Sequence, residues 1–130
     1  MLSLAAARLE AGELQAAEET VTKAVADAAR QRLPLGLVDA LRIQGAIVGR
    51  RGASEEAESR LGRAIRLAEE ITYPWGEARA RFELGRVFAR MGEMDRAGEE
   101  LAAAGAIFEK LGAEPYRVRA AGELAAQPRR

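Results

Sequence analysis

The stretch from Leu84 to Phe108, LGRVFARMGEMDRAGEELAAAGAIF, decides the fold. Large and small apolar residues fall at Leu84, Gly85 and Phe88 before Gly92. They fall again at Ala97, Leu101, Ala104, Gly105 and Phe108 after it. The second set lies at i, i+4, i+7, i+8 and i+11, which is the period of a helix and not the alternation of a strand. A glycine between two such runs suits a helix end, because it takes a positive φ at little cost.

Working outward, the same pattern recurs forty residues apart. Gly12, Gly52 and Gly92 share that offset. So do Ala17, Ala57 and Ala97, then Val21, Leu61 and Leu101, then Ala24, Ala64 and Ala104. Upstream of each glycine, Leu4, Gln44 and Leu84 correspond, as do Ala5, Gly45 and Gly85. Leu33-Pro34-Leu35-Gly36 matches Tyr73-Pro74-Trp75-Gly76, and Glu114-Pro115-Tyr116 repeats the idea with proline one place later. Proline stops one helix and opens the next. Ser54, followed by Glu55 and Glu56, reads as an N-cap at the positive end of a helix dipole.

These signals predict helices near 2–11, 14–32, 35–51, 54–72, 75–91, 94–111 and 115–126. They pair into three helix-turn-helix repeats, about 1–34, 35–74 and 75–114, in a single domain over 1–130. The last helix reads as a cap, with Arg117, Arg119 and Glu123 as solvated residues. One hairpin cannot bury its own apolar face, whereas about three stacked units share a continuous core.

Composition narrows the function. The chain has 130 residues, 48% hydrophobic and 31% charged, so it is globular rather than disordered. Net charge is zero, which supplies no field for nucleic acid. Cysteine and histidine are both absent, removing thiol chemistry and the commonest general base and metal ligand. No apolar run approaches the ~20 residues that span a bilayer. No Gly-rich loop ends in Gly-Lys-Ser/Thr. The pairs Glu18-Glu19, Glu55-Glu56, Glu69-Glu70 and Glu99-Glu100 do not converge on a helix, because adjacent residues point ~100° apart. They read as solvated faces. Tyr73 and Trp75 read as packing at a helix junction, since Leu33 and Leu35 hold the equivalent places; the alternative is an exposed anchor for a partner.

The spacing of Leu84-Gly85, Phe88, Gly92, Ala97, Leu101 and Ala104 resembles the tetratricopeptide repeat family. Leu4-Ala5, Gly12, Ala17, Val21 and Ala24 follow it in the first unit, and Gly45, Val48, Gly52, Ala57, Leu61 and Ala64 in the second. The resemblance covers nearly the whole chain. Its period is forty and not the commoner value of about thirty-four. The family's early tryptophan falls at Leu41 and Arg81, Gln44 replaces an apolar residue, and Arg8 replaces an aromatic. The forty-residue form is similar to repeats of large bacterial regulators: ATP-dependent transcription activators, and cyclases with long helical C-terminal regions. Without asparagine, the sequence lacks the carboxylate clamp of chaperone cofactors.

The resemblance implies an all-α, right-handed superhelix whose first helices line a concave groove. In the third unit Leu84, Phe88 and Met91 form the core face of that helix, and Arg79, Arg86 and Arg90 lie opposite. The candidate partner-binding residues are Arg42, Arg50, Arg79, Phe82, Arg86 and Arg90. Arginine forks suit carboxylates, so an acidic protein segment is the expected occupant. The competing reading is ordinary surface charge, with Glu83 pairing Arg79 and Arg86 at i,i+4 and i,i+3. The expectation is a cytoplasmic protein-interaction module without cofactor, metal, nucleic-acid or membrane partner. It would be a segment or relative of a larger regulator, since its first helix begins almost at Met1. Self-assembly through the solenoid ends and small-molecule sensing are the alternatives, and an enzyme is the weakest class.

Overall fold

The computed structural model describes residues 13–126, and they form six helices: α1 Leu14–Arg30, α2 Pro34–Arg50, α3 Ser54–Glu70, α4 Pro74–Arg90, α5 Met94–Lys110 and α6 Glu114–Ala125. The predicted helix over 2–11, with Leu4, Ala5, Arg8 and Gly12, lies outside the described residues. The other six agree with the predicted spans to within two residues at each end. Helices α1 to α5 each have 17 residues. Each helix begins twenty residues after the one before it. The forty-residue repeat is therefore two twenty-residue units of helix plus turn.

One turn geometry closes all five joints. The middle residue is left-handed at Arg32 (φ 55°), Gly52 (90°), Thr72 (55°), Gly92 (79°) and Gly112 (69°). Its N–H donates three residues back, and the next N–H donates five residues back. At the second joint these bonds are Gly52 to Gly49 at 3.1 Å and Ala53 to Val48 at 3.0 Å. The other four joints repeat them. This double bond satisfies two of the carbonyls that a helix C-terminus leaves over. Ala53 also accepts the Ala57 N–H at 2.9 Å, so one residue ends α2 and starts α3. That corrects the reading of Ser54. It is the first helical residue, and the N-cap is Ala53, with no side-chain cap bond.

Each helix packs on its neighbour in sequence, and α2 also lies against α4. Small residues set the spacing within the pairs. A Cβ added to Gly45 would lie 2.5 Å from Leu61 Cγ, and one added to Gly85 would lie 2.7 Å from Leu101 Cγ. Both leucines are fully buried. The Gly/Leu pair that recurs at offset forty is thus the contact between α2 and α3, and again between α4 and α5.

One expectation about the core changes, and one is given its cost. Met91 is 38% exposed; it is the C-cap of α4 and not part of its core face. Gln44 is buried in an apolar position, and its Oε1 has no hydrogen-bond partner. Helix α6 covers α5 by seating Ala120 with Ala104 and Phe108. Its own far face is open: Val118 is 54% exposed, whereas Ala78, the same repeat position, is fully buried.

Thr72 is a β-branched residue in a conformation that costs L-residues about 1–2 kcal/mol. Thr72→Gly is expected to raise stability by about 1 kcal/mol after the extra unfolded-state entropy of glycine is subtracted. Gly92→Thr, the reverse change at an equivalent joint, should lower it by a similar amount. Denaturant midpoints measure both. Shifts of the same sign would show that φ does not govern these joints.

Candidate functional site

Helices α2, α4 and α6 occupy alternate places in the stack, and their side chains share a face. Arg79, Phe82, Glu83, Arg86 and Arg90 follow one another at helical spacing along α4. The repeat offset adds Asp39 and Arg42 from α2, and Arg119 from α6, beside Arg79 and Phe82. A depression there is lined by Arg42, Arg79, Phe82, Glu83, Phe108, Tyr116 and Arg119.

Rings form its floor. Phe82 is only 6% exposed, and Phe108 is fully buried. Trp75 meets Phe108 and Tyr116 edge-on, with centroids 5.8 and 4.7 Å apart, so it packs at the helix junction as predicted. The guanidinium of Arg79 sits 5.4 Å from the Trp75 ring and 5.6 Å from Tyr116. That of Arg119 sits 5.2 Å from Phe82 and 5.7 Å from Tyr116. At these distances the ring quadrupole attracts each cation. The Tyr73 hydroxyl donates to Asp39 at 3.2 Å. Burial, reinforced by the Asp39 charge, pushes its pKa up and keeps it a donor.

Arg42 is the most constrained cation. Burial, with the Arg79 charge added, pulls its pKa below the ordinary arginine value, while Asp39 and Glu83 act the other way. Its Nε is buried without a hydrogen-bond partner. Further along the face, Arg86 reaches Glu83 at 3.9 Å and Glu123 at 3.7 Å. Arg90 is likewise shifted down, by burial first and by Arg86 next, with Arg50 adding to the effect. A Cβ on Gly49 would come within 3.3 Å of an Arg90 Nη, so Arg90 leans across to α2.

All six sequence-predicted residues lie on this face. Arg42, Arg79 and Phe82 meet in the depression; Arg50, Arg86 and Arg90 extend beyond it. The pairing of Glu83 with Arg86 is present, but the Arg79 guanidinium lies over aromatic rings. Sequence reasoning read Arg119 as a solvated residue of the last helix and left Tyr116 out of the site. The signal for Arg119 was available, because it stands forty residues after Arg79.

Not every arginine of α4 belongs here. Arg81, where the family resemblance expects tryptophan, is 21% exposed and clasps Glu77 at 2.8 Å and Glu100 at 2.7 Å. Glu69 lies 3.8 Å away, so the residue links α3, α4 and α5. Among the described residues no group of acidic residues is arranged to hold a metal ion, and no helix is long and apolar enough to cross a membrane. No protein-family model and no curated protein matches this sequence.

Arg81→Ala would leave Glu77 and Glu100 facing one another in a half-buried site. A loss of about 2 kcal/mol in unfolding free energy is expected. Arg81→Lys should recover less than half of it, since an ammonium lacks the fork that spans two carboxylates. Complete recovery by lysine would show that charge alone holds this junction.

Proposed function

We propose that the chain is a tetratricopeptide-like right-handed superhelix of three helix-turn-helix repeats, counting the helix expected over 2–11, and that it holds an acidic segment of a partner protein in a concave groove. The groove is the face shared by α2, α4 and α6. What supports the reading is an excess of cation there in a chain of zero net charge. Arg42, Arg50, Arg79, Arg86, Arg90 and Arg119 outnumber Asp39, Glu83 and Glu123 two to one. Two of these arginines, Arg42 and Arg90, are desolvated beside like charges. A carboxylate entering the groove relieves both costs by supplying acceptors and opposite charge. The aromatic floor adds apolar contact of the kind that anchors interfaces. Such a chain acts as a scaffold of the cytoplasm and not as an enzyme, in the manner of the repeats of large bacterial regulators.

An extended glutamate-rich peptide, read by fluorescence anisotropy, is expected to bind and to weaken as salt screens the charges. Arg86→Ala with Arg90→Ala should weaken it roughly fivefold, as two partly exposed pairs of about 0.5 kcal/mol each imply. Equal binding of a lysine-rich peptide, or no effect of the double substitution, would sink the groove reading.

The open face of α6 favours a second reading, association of two copies through Val118 and Leu124, which are 54% and 40% exposed. Light scattering after size exclusion should then give a mass that rises with concentration and returns to the monomer in Val118→Glu. A monomer at every concentration removes this reading.

A further inference from the structure

Most arginines outside the depression are engaged by carboxylates. Arg51 pairs with Glu18, Arg81 with Glu77 and Glu100, Arg96 with Glu58, and Arg117 with Glu114. Arg42, Arg79 and Arg119 are different. They come from three helices, α2, α4 and α6, and line one small depression of about 30 Å³, open to solvent. Among the described residues none of the three makes a salt bridge. Arg79 and Arg119 are held instead by ring faces, 5.2–5.7 Å away. Contact through the ring face leaves the N–H edges of a guanidinium free to donate. Arg42 adds a buried Nε without a partner.

The carboxylates nearby are already drawn elsewhere. Asp39 accepts the Tyr73 hydroxyl, and Glu83 lies 3.9 Å from Arg86. Among the described residues Glu83 lines the depression and Asp39 stands beside Arg42, so three arginines and two carboxylates leave a formal +1 there. A single carboxylate brings one charge and two oxygens. A phosphate monoester brings a charge of about −1.5 to −2 and three acceptor oxygens. With three arginines around one depression, the donors outnumber what the two oxygens of one carboxylate accept, and the second group uses them more fully.

The geometry points to recognition of a phosphate monoester, carried on a serine or threonine of the partner segment, by Arg42, Arg79 and Arg119 over the Phe82–Tyr116 floor. This rests on the reading of the face as a groove for a partner segment and names the group that the segment presents. The depression is too small for more than one such group, and the remaining arginines of the face receive the flanking acidic residues. Phosphorylation of the partner then switches its docking.

The probes are three versions of one glutamate-rich peptide, with serine, glutamate or phosphoserine at the centre. The phosphoserine form is expected to bind roughly tenfold tighter than the glutamate form. That gain should disappear in Arg42→Gln and also in Arg119→Gln, the latter at an exposed position where folding is least at stake. It should fade as pH falls through about 6, the second pKa of the phosphate, while the glutamate peptide keeps its affinity. The groups facing the depression are Asp39 and Arg42 from α2, Arg79 and Glu83 from α4, and Tyr116 and Arg119 from α6, with Phe108 of α5 apolar. The chain has no histidine, so a loss near that pH belongs to the ligand. Equal affinity for the phosphoserine and glutamate peptides overturns the phosphate assignment and leaves the acidic groove standing. A phosphoserine gain that survives both substitutions places recognition elsewhere and overturns it too. Failure of all three peptides to bind overturns the groove itself.

Discussion

The reversal of the chain at every twentieth residue is the constraint on which the remaining structure depends. Five joints close with the same pair of backbone hydrogen bonds and the same left-handed residue between them. Because the residue after it serves both helices, no slack remains in the connection. Successive 17-residue helices are therefore returned against each other at one register. That register brings Gly45 under Leu61 and Gly85 under Leu101, where any Cβ would collide. It also returns α2, α4 and α6 to one side, so residues forty apart fall into rows. The rows, and not any single helix, create the arginine-rich face.

How much of this was legible in the residues follows from the same geometry. Gly52, Gly92 and Gly112 announce their joints, because glycine is the usual left-handed residue. Arg32 and Thr72 adopt the same conformation without that signal, since hydrogen bonds and packing on both sides impose it. Gly12, Gly52 and Gly92 therefore give a forty-residue repeat, and of the twenty-residue steps inside it only the one from Gly92 to Gly112 carries a glycine at both joints. Ser54 misled for a related reason: the joint's own backbone bonds occupy the position that a capping side chain would serve. The site was legible where it ran along one helix. Arg79, Arg86 and Arg90 share a stripe by spacing alone. The stacking of Arg79 and Arg119 on rings from other segments was not, because it joins residues whose nearness depends on how α4 and α6 meet.

Net charge conceals the electrostatic character of the molecule. Twenty basic and twenty acidic residues cancel over the chain. Locally, Arg51, Arg81, Arg96 and Arg117 each stand beside a carboxylate and contribute to linking or bracing helices. On the shared face Arg79 and Arg119 stack on rings, Arg42 and Arg90 are desolvated beside like charges, and Arg86 reaches Glu83 and Glu123. Stacking on a ring restrains a guanidinium without using up its donors, whereas a salt bridge does both. The same residue type thus serves structure in one setting and remains available in the other.

Comparison of equivalent positions shows how far the repeat can vary. Leu41 and Arg81 occupy one position, and Arg60 and Glu100 another. In the later repeat these are an ion pair at 2.7 Å. In the earlier one Leu41 is fully buried and the Arg60 Nε has no hydrogen-bond partner. Gln44 and Leu84 differ in the same manner, with the glutamine Oε1 left unsatisfied where the leucine is at home. Unsatisfied buried atoms each cost about 1–3 kcal/mol, yet the helices on either side keep the same length and spacing. The fold is therefore not specified by these polar contacts. It is specified by the joints and by the close glycine–leucine approaches, which recur unchanged. That division leaves the outward positions of α2, α4 and α6 free to carry different side chains in each repeat, which is what a surface that discriminates between partners requires.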